Sequence, residues 1–204
     1  MNDGIPKPEI ARLEQQVGFI LELDKLKAVV RQTQLPNQQR RENSAEHSWH
    51  LAMMALVLAE HAREDIEVSH VVRMLLIHDV VEIDAGDAFI HDATARAAAA
   101  ELEQAAAARI FGLLPANQAW EFRELWREFD ARCTPEAKFA HALDRLIPIL
   151  HNYHEGGGSW LAHGITKSQV VKRCQHMREG SEALWEMASH VLDLAAARNY
   201  FRPE

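Results

Sequence analysis

Two imidazoles and two carboxylates interrupt apolar, helix-patterned stretches of this chain: His47, the adjacent His78 and Asp79, and the distant Asp144. Such a mixed N/O set suits a divalent metal and can leave coordination positions open for water and substrate. Asp79 follows the apolar run Met74, Leu75, Leu76, Ile77, and a buried ionised carboxylate needs a partner or a metal. Taken alone, the His-Asp pair reads better as a satisfied core histidine beside an arginine-paired acid. Two further acids change that reading. Glu82 lies three residues past Asp79, on the same helical face. Asp87 follows Gly86, just past a helix end, where a loop residue can point back into a pocket. Together these residues point to metal-assisted hydrolysis.

The elements that must position them are helices. Nearly every long segment has three- and four-residue apolar spacing, and none shows a sustained strand alternation. The patterning predicts a first helix over 8–31, a polar stretch over 32–43 broken at Pro36, and a helix with Ser44 as N-cap and His47 in its first turn. A further helix runs from about Ser69 through the His-Asp pair to the Ala85-Gly86 step. Helices over 93–114 and 115–131 follow. Thr134-Pro135 starts the helix that carries Asp144 and ends before Gly156, and helices over 166–178 and 181–199 close the chain. The triple glycine 156–158 reads as a loop. The expectation is one all-α domain over 1–204, a compact bundle.

Composition narrows the partners. The 204 residues carry a net charge of −8, with 48% hydrophobic and 25% charged residues. Net negative charge disfavours nucleic-acid polymers and anionic membranes, which demand clustered Lys/Arg. A small phosphorylated substrate is compatible with it, because a metal and a few arginines reverse the local field. The two cysteines, Cys133 and Cys174, have no metal-knuckle spacing, and the N-terminus lacks a signal-peptide pattern. No apolar run is long enough to span a bilayer. These features predict a cytoplasmic protein.

The stretches LELDKLKAVVRQT, RRENSAEHSWHLAMMAL, MLLIHDVVEIDAGD and ALDRLIPILHNY, with the later SWLAHGIT, resemble in order and spacing the HD-domain metal-dependent phosphohydrolases, in particular the 5′-deoxynucleotidase branch. The resemblance covers about 21–185. It implies an HD-domain helical bundle in which His47, His78, Asp79 and Asp144 ligate one divalent ion, whether Mn, Fe, Co, Ni, Zn or Mg. It implies Glu82 and Asp87 as acid/base and water-positioning carboxylates, Arg31 as a pocket residue, deoxynucleoside monophosphates as substrates, and a homodimer. In that branch a tryptophan often follows the arginine; here Gln32, Thr33 and Gln34 follow it. Two rivals stand beside this reading: hydrolysis of another phosphomonoester or a phosphodiester, and a non-catalytic helical regulatory module with a structural metal.

Other residues read more simply. His91-Asp92 repeats the dipeptide, but Asp92 suits a helix cap. His50 lies one turn from His47, with a supporting and a core role both open. His151 and His154 would make a metal pair only if a carboxylate met them. Glu67 and His70 match half of a di-iron signature whose second copy is absent. Arg40-Arg41 suits a solvated loop as well as a phosphate. Trp120, Trp126 and Trp185 read as core or dimer interface.

Overall fold

The computed structural model describes residues 7–36, 40–87 and 93–203, residues 7 and 93–99 by their backbone only. In chain order the elements are α1 (Lys7–Leu23), β1 (Val30–Gln34), β2 (Arg41–Asn43), α2 (Ser44–Leu58), α3 (Val68–Ile77), α4 (Glu82–Ala85), α5 (Ala93–Phe111), α6 (Ala116–Ala131), α7 (Pro135–His154), α8 (Gly158–Ala162), α9 (Lys167–Cys174), α10 (Met177–Gly180) and α11 (Glu182–Ala197). Among the described residues the fold is all-α apart from one antiparallel hairpin, β1 with β2. His91-Asp92 lies outside the described residues.

Two apolar clusters organise the helices. The larger surrounds α7 and contains Leu51, Met74, Leu75, Phe139, Leu143 and Leu192. The second joins α1, α5 and α6 through Phe19, Ile110, Phe111 and Trp126, and takes in Ile77, Val80 and Val81. Phe19 meets the Phe122 ring edge-on at 5.6 Å. The segment after α3 thus changes allegiance within a few residues. Met74 and Leu75 enter one cluster, Ile77, Val80 and Val81 the other, and His78 and Asp79 occupy the seam.

Several boundaries differ from the sequence reading. The first helix ends at Leu23, a short 3-10 turn covers Asp24–Ala28, and Arg31 sits on a strand. The β-branched pair Val29-Val30 favours extended backbone, and the Val30↔Asn43 and Gln34↔Arg41 pairings satisfy it. The apolar row Leu13, Val17, Ile20 on α1 stays exposed. Asn43, rather than Ser44, caps α2, in a capping box with Glu46. The helix expected to run unbroken through His78 ends at Ile77 and resumes as α4, because its apolar residues serve two clusters. The triple glycine includes the start of α8. The helix over 166–178 is split into α9 and α10, and α10 passes α7 so closely that a Cβ on Gly180 would stand 2.2 Å from the Lys138 carbonyl oxygen. Thr134 and Pro135 start α7 as expected. Trp126 and Trp185 are buried, whereas Trp120 is exposed.

Candidate active site

The capping box fixes the start of α2, and His47 projects from its first turn into the interior with no exposed surface. Its Nδ1 lies 3.2 Å from Glu42 Oε2 and its Nε2 3.0 Å from Asp144 Oδ1 on α7. His78 caps α3. Its Nδ1 donates to the Leu75 carbonyl at 2.8 Å, a bond that leaves Nε2 as the lone-pair nitrogen. That Nε2 is buried without a hydrogen-bond partner, although Asp79 Oδ1 lies 3.0 Å away at a poor angle. The ligand atoms of His47, His78 and Asp144 all fall within 4.8 Å of one another. A buried, unpartnered imidazole nitrogen beside two other ligand-type atoms is what a metal-binding set looks like without its ion. The residues therefore fit a divalent cation.

Asp79 turns its other oxygen to Arg31, 2.6 Å from Nη1. Arg31 comes from β1 and also faces Glu42 at 3.7 Å and Glu82 at 3.9 Å. Burial opposes its charge, but Asp79, Glu82, Asp87 and Asp144 outweigh burial and hold it protonated. Glu82 opens α4 and accepts a 2.6 Å hydrogen bond from Ser44 Oγ. Burial, then the Asp79 charge, pushes Glu82 well above the usual carboxylate range. Gly86, at φ 76° and ψ 160°, turns the chain so that Asp87 accepts from the Gln32 backbone N–H at 3.3 Å. Burial raises Asp87 as well. Burial acts the same way on Asp144, but Arg145 and the His47 hydrogen bond override it and keep that acid well below its usual range.

Arg31, His78, Asp79, Glu82, Asp87 and Asp144 line one cavity of about 920 Å³, with His47 behind its wall. The cavity lining also includes Arg132, Arg145, Lys172, Arg173 and Arg178, and the aromatic Trp126 and Phe129. All seven residues singled out in the sequence thus converge on one place. Glu42 and Ser44 escaped that reading. Glu42 is 1% exposed on a three-residue strand, and its only sequence signal is an acid five residues before His47. Elsewhere, Arg40 pairs with Glu46 at 2.8 Å, and His70 bonds Glu128 at 2.8 Å, which accounts for both without a ligand.

A family model for the HD domain matches residues 23–185. The 5′-deoxynucleotidase HDDC2 of Danio rerio is 30% identical over 76% of this chain and 86% of its own length. That of Homo sapiens is 32% identical over 56% of this chain, so the match spans about half (54%) of the human protein. Among solved structures, a predicted metal-dependent phosphohydrolase from Magnetospirillum magnetotacticum MS-1 is 52% identical, covers 94% of this chain and 99% of its own, and superposes with a TM-score of 0.89. An HD-domain phosphohydrolase from Listeria innocua, 18% identical over 87% of this chain and 83% of its own with a TM-score of 0.59, shares the fold.

Proposed function

The chain belongs to the HD domain family, and on that premise we propose that it is a metal-dependent 5′-deoxynucleotidase, releasing phosphate from deoxynucleoside monophosphates. The whole chain reads as a single domain, with His47, His78, Asp79 and Asp144 as the ligands of one divalent ion. The observation that carries this is the orphaned Nε2 of buried His78, set among the ligand atoms of His47 and Asp144 at the head of a cavity that also holds Glu82, Asp87 and Arg31. Two nitrogen and two oxygen donors suit first-row transition ions better than Mg²⁺, which prefers oxygen throughout.

A bound ion would polarise the phosphoryl oxygens and acidify a water. The chain's own groups do the rest. Glu82, whose carboxyl burial pushes well above the usual range, orients the attacking water and takes its proton. Arg31 supplies a fixed cation for the phosphoryl oxygens, and Asp87 contacts the sugar or serves the leaving oxygen. The names of the HDDC2 relatives support the substrate class. The Gln32-Thr33-Gln34 segment favours a second reading, cleavage of another phosphate ester, since no aromatic follows Arg31. Against a purely structural metal stand Glu82 and Asp87, which a closed site does not need. The apolar rows left exposed, Leu13, Val17 and Ile20 on α1 and Met53, Leu56 and Val57 on α2, support a homodimer. Among the described residues no helix is long and apolar enough to cross a membrane, in keeping with the cytoplasmic placement proposed for the protein.

A phosphate-release screen over nucleoside monophosphates with several divalent metals tests the proposal. Activity confined to unrelated phosphate esters would replace the substrate class. Asp79→Ala is expected to lose the metal while keeping its helix content; unchanged metal in elemental analysis would remove the ligand assignment.

A further inference from the structure

A second group of ligand-type atoms lies behind the first. Atoms of Glu42, His50 and His151 all fall within 4.8 Å of one another. They come from the elements that build the hydrolytic site: Glu42 from β2, His50 one turn after His47 on α2, and His151 two turns after Asp144 on α7. A carboxylate therefore meets His151, while His154 stays exposed. We propose that Glu42, His50 and His151 form a second divalent-cation site, one that takes a borderline ion such as Zn²⁺.

Four observations carry this. The donor set, two imidazoles and a carboxylate, is one that zinc commonly takes from proteins with a fourth position left to water. His151 is 5% exposed, and its Nδ1 has no hydrogen-bond partner; a buried polar atom left so is costly unless a ligand completes it. The His50 and His151 rings face each other at 6.0 Å and 37°, tilted rather than stacked. Two ligands each about 2.1 Å from one ion are at most about 4.2 Å apart. The three atoms stand within 4.8 Å of one another, so a modest shift of His50, the half-buried member of the three, would bring them into that range.

Glu42 already faces His47 Nδ1 at 3.2 Å and Arg31 Nε at 3.7 Å. Both contacts use Oε2, so Oε1 can serve the second ion without releasing His47. A carboxylate shared in this way would join the two metal sites through one side chain, with Glu42 orienting a ligand of the first and ligating the second.

The test counts metal. Tag-free protein is stripped with chelator, dialysed against Zn²⁺, and analysed for zinc per chain. Two ions are expected in the wild type, one in His50→Gln, one in Asp79→Ala and none in the double variant. Because His50 is half-exposed, His50→Gln should keep the circular dichroism of the wild type. His151→Gln, read by the Co²⁺ visible spectrum, is the second arm and should lose one of two sets of bands. One zinc in the wild type, or two in both the wild type and His50→Gln, would overturn the proposal, the latter placing the second ion on a surface histidine. The hydrolase reading fails differently, by absence of phosphate release, so the two are separable.

Discussion

A carboxylate shut away from water beside a second carboxylate keeps its proton to higher pH, and Glu82 meets both conditions. Burial and Asp79 raise it, while Arg31 at 3.9 Å and the Ser44 hydroxyl draw it back. A carboxylate raised in this way is a stronger base than an exposed one and suits proton transfer. Glu82→Ala should therefore keep its metal and lose about 10²-fold or more in kcat, with elemental analysis and initial rates on the same preparation as the check. Near-normal kcat would take Glu82 out of the chemistry. Arg31→Ala should raise KM or lower kcat for all deoxynucleoside monophosphates alike, if its guanidinium takes the proposed role at the phosphate and none at the base. The acids and histidines singled out in the sequence that the structure brings together were legible because such residues embedded in apolar runs stand out, whereas Arg31 entered only through the family resemblance. Glu42 was not legible, because it follows a polar stretch and owes its burial to a hairpin that helical periodicity does not reveal.

At the level of elements, the site depends on two places where helix gives way. The first is the turn between α3 and α4. The run VVRMLLIHDVVEI has helical spacing throughout, so sequence patterning carries the helix straight across it. The break comes from tertiary packing: Met74 and Leu75 face one cluster, Val80 and Val81 the other. The second is Gly86, whose φ of 76° and ψ of 160° lie in a region essentially reserved for glycine. Open space surrounds the position where its Cβ would be, so backbone conformation alone opposes a side chain there. Gly86→Ala should cost about 1–3 kcal/mol or shift Asp87 off the Gln32 amide. A denaturant titration paired with kcat/KM distinguishes the two, and wild-type values in both would show that Asp87 needs no fixed turn. The hairpin that carries Arg31 was hidden for a related reason: three residues of β2 are too few to show alternation.

Across the whole molecule, two histidines outside the proposed metal sites, His141 and His176, bear on the response to acid. His141 on α7 donates from Nε2 to the Phe129 carbonyl at 2.7 Å and stacks on the Phe129 ring at 4.1 Å, while its Nδ1 is buried without a partner. Burial, reinforced by Arg145, pushes its pKa from 6.5 down to about 3. His176, 6.0 Å away, is pushed down to about 4, again first by burial. The folded values lie below the unfolded ones, so between them the unfolded chain binds more protons. Stability is then full above about pH 6.5 and is lost as pH falls toward the folded pKa. Glu82 and Asp87, both raised, act in the opposite sense in metal-free protein, so the net profile mixes the two. A difference measurement separates them. Each such histidine contributes a slope of about 1.4 kcal/mol per pH unit. His141→Gln should flatten the metal-free stability profile between pH 4 and 6 by about that amount, read from urea unfolding at several pH values. Parallel profiles for variant and wild type would mean that His141 titrates normally and that the packing of Phe129 over its ring leaves water within reach of Nδ1.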